Sequence, residues 1–398
     1  RPTRMPAPRR SHLARLLLPV ALLAAPPAPA LSPDARLAQL VIRTWTTDEG
    51  LPLNSINALW ASPRGPLWVA TEEGLARFDG VSFTPFGQAE GELPNQDVND
   101  VFEDPDGTLW ISSWGGVTRY RDGAFQTFDT RNGLPHDVVY CVLRTSGGEL
   151  FAGTARGLAR LRDDRFEVFV DPAWKSQLNV RALVEDRRGA LWVASSGGGL
   201  SRFEGGRFNA HFGAAELGDD WVHALALDST GRVWAGTRNG AVRIDDAETG
   251  AVTRFGERDG LTVLDVRRII RDPHGQMWLG TYGGGLVHFT SGRFEGFRHS
   301  QGLAFDNVGA LAFDLEGGLW VGTLGGGLNH LSEGQFLNIG EPEGLTEDVV
   351  WAVLEDRQGR LWVGTDGGGV CRQQVTEPSG WRCLGKSAGL PSDVVIGL

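Results

Sequence analysis

Trp114 and Tyr282 carry aromatic faces able to stack on a sugar ring, and Arg156, Arg238 and Asp220 carry the donors and acceptors that hydroxyl groups need. With Asn239, Asp366, His136 and Trp221 they make up the candidate ligand-binding residues, and Glu72 and Asp306 stand at comparable places in the chain. The chemistry these types suggest is recognition of a small molecule or an oligosaccharide. For any one of them, ordinary packing of a loop on its neighbour is the alternative reading.

Residues for catalysis are harder to assemble. The eight histidines, at 12, 136, 211, 223, 274, 288, 299 and 330, show no paired spacing suited to a metal. No Gly-x-Ser-x-Gly elbow and no phosphate-cradling loop occurs, and the many Asp and Glu residues stand mostly in turn sequences whose local hydrogen bonding accounts for them. Cys141, Cys371 and Cys383 are too few and too scattered for a zinc site or a disulfide framework. Cys371 and Cys383 fall on neighbouring strands of one expected hairpin, where an oxidising compartment permits a bridge; two buried thiols are the alternative. The sequence offers no catalytic constellation, no metal site and no cofactor motif, so the expectation is a protein that binds and does not turn over.

The elements that must position the candidates come from a repeat. An apolar tryptophan motif returns as Leu67-Trp68-Val69, Leu109-Trp110-Ile111, Leu191-Trp192-Val193, Val233-Trp234-Ala235, Met277-Trp278-Leu279, Leu319-Trp320-Val321 and Leu361-Trp362-Val363, with Leu150-Phe151-Ala152 filling the gap. The aromatic positions are separated by 42, 41, 41, 42, 44, 42 and 42 residues. Each unit reads as four short strands. An apolar, β-branched first strand, such as Val98 to Glu103, is turned by Asp, Pro and Gly into the tryptophan strand; a glycine cluster such as Gly283-Gly284-Gly285 leads to the third strand, and a short turn to the fourth. The tryptophan strand is apolar at consecutive positions, which predicts cover on both faces, as in a propeller blade between two neighbours. Four strands in about 42 residues, with no room for an ordinary helix, predict an all-β propeller. Each repeat indole offers roughly 150–250 Å² for burial, so these tryptophans are expected in the core.

Strand direction then gathers the glycine loops and the loops between blades on one face, where all the candidate residues fall. Variation on a constant frame is where specificity can reside.

Residues 40–47 occupy the place of a fourth strand, so the chain enters one strand short of a blade. Clasping the last blade with that strand closes a seven-bladed ring over residues 40–331, with eight blades in one ring as the competing count. Residues 332–398 then begin a second propeller, the segment from Gln335 supplying its orphan strand, and the match of Ser392–Leu398 to the start of a first strand suggests a fragment. Upstream, Arg9, Arg10 and Arg15, the apolar run Leu16 to Ala25 and Ala28-Pro29-Ala30 read as an export signal over 1–30, with a linker at 31–39. A periplasmic or extracellular location follows. The net charge of −11 argues against nucleic acid or an anionic membrane surface as the main partner, and no later stretch could cross a bilayer.

The signature Gly344-Leu345-Thr346, Val349 to Val353, Glu355-Asp356, Gly359 and Leu361-Trp362-Val363-Gly364-Thr365-Asp366-Gly367-Gly368, repeated across residues 40–398, closely resembles the two-component regulator propeller repeats of extracytoplasmic sensor regions in bacterial hybrid histidine kinases and diguanylate cyclases. The resemblance implies two seven-bladed propellers, then a β-sandwich, a membrane helix and a cytoplasmic kinase or cyclase, with oligosaccharides as ligands of many members and a homodimer in the full-length protein. A membrane would then be met only through that later helix. Phe151 in place of a tryptophan and Gln177-Leu178-Asn179 in place of Gly-Leu-Pro depart from the pattern. A secreted scaffold that does not signal, and a propeller lyase, are the competing functions.

Overall fold

The structure is a computed structural model that describes residues 31, 40–173, 179–333, 340–341, 344–374 and 377–398. The export signal, residues 32–39 of the linker, Gln177 and Leu178 of the departing loop, and the stretch beginning at Gln335 lie outside the described residues.

The fold is a β-propeller. Among the described residues thirty-two strands form eight antiparallel four-stranded sheets, and the one α-helix is the single turn Ala214–Leu217. The innermost strand of each blade is its first: Ile56–Ala61, Val98–Glu103, Val139–Arg144, Asn179–Glu185, Val222–Leu227, Val266–Arg271 and Val308–Phe313. Each packs on the first strand of the next blade, and Val308–Phe313 packs back on Ile56–Ala61, so seven sheets close a ring. The clasp is the strand Leu40–Trp45, which pairs antiparallel with Leu328–Glu333 as the outermost strand of blade 7. Trp45, 4% exposed, seals the joint between ring centroids of Phe78 at 5.2 Å and Trp320 at 5.4 Å.

The repeat aromatics are wedges between sheets. Trp110 shares an apolar cluster with Leu150 and Phe166 of the following blade, Phe151 with Leu191, Trp192 with Val233, Trp234 with Met277, Trp278 with Leu319, and Trp320 with Leu67 and Phe78 across the closure. The second strands of the seven ring blades are buried along their whole length, from Leu67–Thr71 to Leu319–Thr323. Burial of an indole leaves its N–H in need of an acceptor, and an aspartate six residues earlier supplies it. Nε1 donates to Asp Oδ2 in Trp110–Asp104 at 2.8 Å, Trp192–Asp186 at 2.9 Å, Trp234–Asp228 at 3.3 Å, Trp278–Asp272 at 3.1 Å, Trp320–Asp314 at 3.0 Å and Trp362–Asp356 at 2.8 Å. The two blades without that aspartate show the converse. Ser62 precedes Trp68, whose Nε1 is buried with no partner, and Thr145 precedes Phe151, which has no N–H to satisfy.

The eighth sheet, over residues 350–384, has the same four-stranded order and stands outside the ring, its strands making no extensive contact with ring strands. Its first strand exposes Trp351 (57%) and Val353 (62%), where the equivalents of Val353 in blades 1 and 2, Leu59 and Val101, are buried. A lone blade has no neighbour to cover its inner face. Cys371 and Cys383, cross-strand partners in this sheet, are joined as a disulfide, and Cys141 is a buried free thiol.

Candidate ligand-binding face and central channel

The glycine loops and the loops between blades meet on one face and are stitched together by backbone hydrogen bonds. Within a blade, the loop after the second strand bonds to the loop that enters that blade: Trp114 N to Asp97 O, Ala155 N to Val138 O, Tyr282 N to Asp265 O and Leu324 N to Asn307 O. Between blades it bonds to the next entry loop, as Gly197 N and Gly199 N do to Asp220 O, Gly283 N and Gly285 N to Asp306 O, and Gly325 N and Gly327 N to Asn54 O across the closure. Gly199 shows why glycine is required: its φ is +72°, and a Cβ there would collide with the carbonyl oxygen of Phe212.

On this rim, Trp114 (blade 2) and Tyr282 (blade 6) are 52% and 50% exposed. Arg156 (blade 3), Arg238 and Asn239 (blade 5) and Glu72 (blade 1) are exposed beside them. Trp221, on the loop entering blade 5, is brought together with Arg238, whose guanidinium lies 4.3 Å from the indole centroid while its Nε faces Asp219 at 3.5 Å. His136 Nδ1 accepts from the backbone N of Val138 at 2.9 Å, Asp306 accepts from His299 N at 2.6 Å, and Asp220 supplies its carbonyl to blade 4, so these three shape the rim. Asp366 belongs to the eighth sheet and does not converge with the others.

The structure adds residues that a reading confined to loops passed over. In every blade the first strand carries a β-bulge near its start, where the pairing skips one position: Asn57, Asn99, Tyr140, Arg181, His223, Arg267 and Gly309 around the ring, and Trp351 in the eighth sheet. A bulge re-aims its side chain out of the sheet. Here the strands surround a central cavity of about 210 Å³, to which Asn99, Tyr140, Arg181 and His223 contribute, with Asp100, Cys141 and Arg268 below them. The bulge position holds Asn, Asn, Tyr, Arg, His and Arg in blades 1 to 6 and Gly in blade 7, so a residue with a polar group recurs there in six of seven blades.

Four guanidiniums and three carboxylates share this region. Arg267 pairs with Asp265 at 2.8 Å and reaches over the Tyr282 ring at 5.3 Å; Arg238 pairs with Asp219; Arg268 donates to Asn57 O at 2.7 Å and feels Asp100. Arg181 lies 3.7 Å over the Tyr140 ring and has no carboxylate partner among the described residues. Burial, reinforced by Arg267, Arg181, Arg268 and Arg238, drives the His223 imidazole down to about 3, so it is neutral at physiological pH. Burial raises Asp100 to about 6 against the hydrogen bonds from Val142 N and Val101 N and the charge of Arg268. Among the described residues no group of three or more His, Cys, Asp or Glu is placed to hold a metal ion, and no helix is long and apolar enough to cross a membrane.

Seven blades of this kind, with a loop rim above a polar channel, define a β-propeller whose face is suited to binding. Four segments, 92–115, 216–239, 260–283 and 344–367, match the family described as two component regulator propeller, each running from an entry loop into the loop after the second strand. Four of the eight repeats thus match the two-component regulator propeller model. Among solved structures, the chain is similar to the extracellular domain of BT3049 from B. thetaiotaomicron, assigned to a hybrid two component system, with a TM-score of 0.71 and 23% identity over 90% of this chain and 50% of that one. It thus spans about half the length of that domain. It is also similar to virginiamycin B lyase from Staphylococcus aureus (TM-score 0.58, 14% identity, 74% of this chain and 98% of that one). A third likeness is to PorZ, a surface component of the type-IX secretion system of Porphyromonas gingivalis (0.58, 16%, 84% and 59%). These likenesses share the fold. No curated protein sequence matches the chain.

Proposed function

We propose that this chain is the ligand-sensing propeller region of an extracytoplasmic bacterial receptor, that it binds an oligosaccharide on the rim, and that it passes occupancy to a kinase or cyclase domain of the intact protein. The observation that carries the reading is the join between repeats of the two-component regulator family and a rim that holds Trp221, Tyr282 and Trp114 at water-accessible positions over a channel with unused polar groups. Exposed aromatics beside fixed polar groups suit sugars, whose faces are apolar and whose edges are hydroxyls. The similarity to an extracellular domain of a two component system, and the disulfide in the eighth sheet, both favour an exported location.

The test is a glycan-array screen of the purified chain followed by calorimetry. Binding of at least one oligosaccharide, weakened tenfold or more by Tyr282→Ala or Trp221→Ala and not accompanied by product formation, supports the reading. Turnover of the bound saccharide would favour the lyase. A coding sequence that stopped soon after a closing strand, without a membrane helix and signalling domain, would leave a secreted scaffold.

A further inference from the structure

The polar groups of the channel mouth do not balance. Arg181 comes from the bulge of blade 4, and its guanidinium is fixed over Tyr140, a cation–π contact that sets its position without using any of its N–H donors. It makes no hydrogen bond and no ion pair with a described residue, and its Nε is buried with no acceptor. The nearest other cations are already engaged: Arg267 on Asp265, and Arg268 on the backbone carbonyls of Asn57 and Arg267. A half-buried guanidinium whose Nε is buried without an acceptor is costly to hold in place, and with no protein partner on its terminal nitrogens such a group suits a site that takes an anion. Beside it, His223 Nε2 and Asp265 Oδ1 are both buried and unpartnered, 4.0 Å apart. That separation is too long for a direct hydrogen bond, yet one hydroxyl oxygen can lie within hydrogen-bond reach of both. The two sets of groups differ in kind: Arg181 suits a negative charge, and the His223–Asp265 pair suits a group that both donates and accepts.

We propose that the channel mouth of blades 3 to 6 binds an acidic sugar, its carboxylate or sulfate on Arg181 and an adjacent hydroxyl between His223 and Asp265. This rests on the saccharide-sensing reading and names the class of ligand. Tyr282, held under Arg267 at the rim, is placed to carry the next ring of the same oligosaccharide.

The test is calorimetry on the purified chain with four probes: digalacturonate, a sulfated chondroitin disaccharide, the neutral disaccharide cellobiose, and sodium sulfate or acetate alone. The expected result is that at least one acidic saccharide binds more tightly than cellobiose, that Arg181→Gln weakens it at least tenfold, and that Arg181→Lys, which keeps the charge without the fork, loses less. Digalacturonate against the chondroitin disaccharide tells carboxylate from sulfate. Arg187→Gln, on a turn of the opposite face, should change nothing, and the thermal midpoint of Arg181→Gln should equal or exceed that of the parent, which separates lost binding from lost folding. Cellobiose binding as tightly as the acidic saccharides, or affinity unmoved by Arg181→Gln, overturns the proposal and leaves the sensing reading standing. Binding of free sulfate or acetate through Arg181, with no saccharide bound, keeps the anion site and sinks the saccharide reading. No binding by any anionic probe overturns the proposal outright.

Discussion

Removing Asp272 should cost stability chiefly because Trp278 remains. Asp272 is 4% exposed and spends its two oxygens separately: Oδ2 accepts Trp278 Nε1 at 3.1 Å, and Oδ1 accepts the backbone N of Gln276 at 2.8 Å. Alanine at 272 unties the turn, about 1 kcal/mol, and strands a buried indole N–H, about 1–3 kcal/mol, so the total loss is about 2–4 kcal/mol. Trp278→Phe alone removes apolar contact with Leu319 and the stack with His288 at 4.1 Å, and it orphans one carboxylate oxygen. In the phenylalanine background, Asp272→Ala should cost only the turn bond. The coupling energy, about 1.5–3 kcal/mol for a hydrogen bond to a charged group, is read from the four proteins by urea unfolding followed by far-ultraviolet circular dichroism. Equal costs of Asp272→Ala in the two backgrounds, to within about 0.5 kcal/mol, would refute the claim that aspartate is there for the indole. The chain supplies a converse case in blade 1, where Trp68 Nε1 has no acceptor; Ser62→Asp should stabilise the protein by about 1 kcal/mol, and a loss of stability would count against the same claim.

Trp45→Ala should destabilise the ring by about 3–5 kcal/mol, as for other buried tryptophans, and should raise protease sensitivity on both sides of the closure; cleavage patterns unchanged by the substitution would contradict the clasp. Burial opposes ionisation of Asp228, but hydrogen bonds from Thr230, Arg232 and Trp234 outweigh it and hold the carboxyl at about 2, so its stabilisation is complete above the ordinary value of 3.8 and disappears as pH falls through about 2. After discounting for solvent screening this is about 1–2 kcal/mol, and Asp228→Asn should flatten the acid limb of the stability curve. Asp100 has the opposite sign: burial lifts it to about 6, so its contribution to stability is most favourable below 3.8 and is lost as pH rises through 6. The groups facing it are Arg268, whose charge persists, and the Cys141 thiol, which burial keeps protonated, while His223 stays neutral above about 3. Affinity for an anionic probe should therefore strengthen as pH drops from 7 to 5, and Asp100→Asn should abolish that dependence in calorimetry.

The propeller was legible because its frame is periodic. Indoles wedged between sheets must recur once per blade, so the 41–44 residue spacing reports the architecture directly. The face was legible from strand direction, and Trp221, Arg238 and Tyr282 do stand on it. Two things were not. The pairing of each indole with an aspartate six residues upstream depends on how a turn folds back on its own hairpin, and turn carboxylates look alike until that geometry is known. The channel residues escaped because a bulge is invisible to a reading by alternation: Tyr140, Arg181, His223 and Arg267 sit in strands recognised by their apolar flanks, and one polar residue there reads as an interruption.

The bulge also explains why chemistry is concentrated on one arc of the ring. The residue before it is fully buried in all seven blades, as Ile56, Val98, Val139, Val180, Val222, Val266 and Val308, and has no freedom to vary. The bulged residue, released from the ladder, can be large and polar without disturbing either face of its sheet. Three of the seven positions are nevertheless committed. Asn57 Nδ2 donates to Val98 O at 3.0 Å and Asn99 Nδ2 to Val139 O at 2.8 Å, binding blade 1 to blade 2 and blade 2 to blade 3, while a side chain at Gly309 would run into the carbonyl oxygen of Ile56 at the closure. Blades 7, 1 and 2 thus use this position for cohesion. Blades 3 to 6 leave Tyr140, Arg181, His223 and Arg267 facing the channel or its rim, and the loops of blades 5 and 6 carry Trp221, Arg238 and Tyr282. Three blades thus give this one structural position to cohesion between blades, and four give it to a large polar or aromatic side chain.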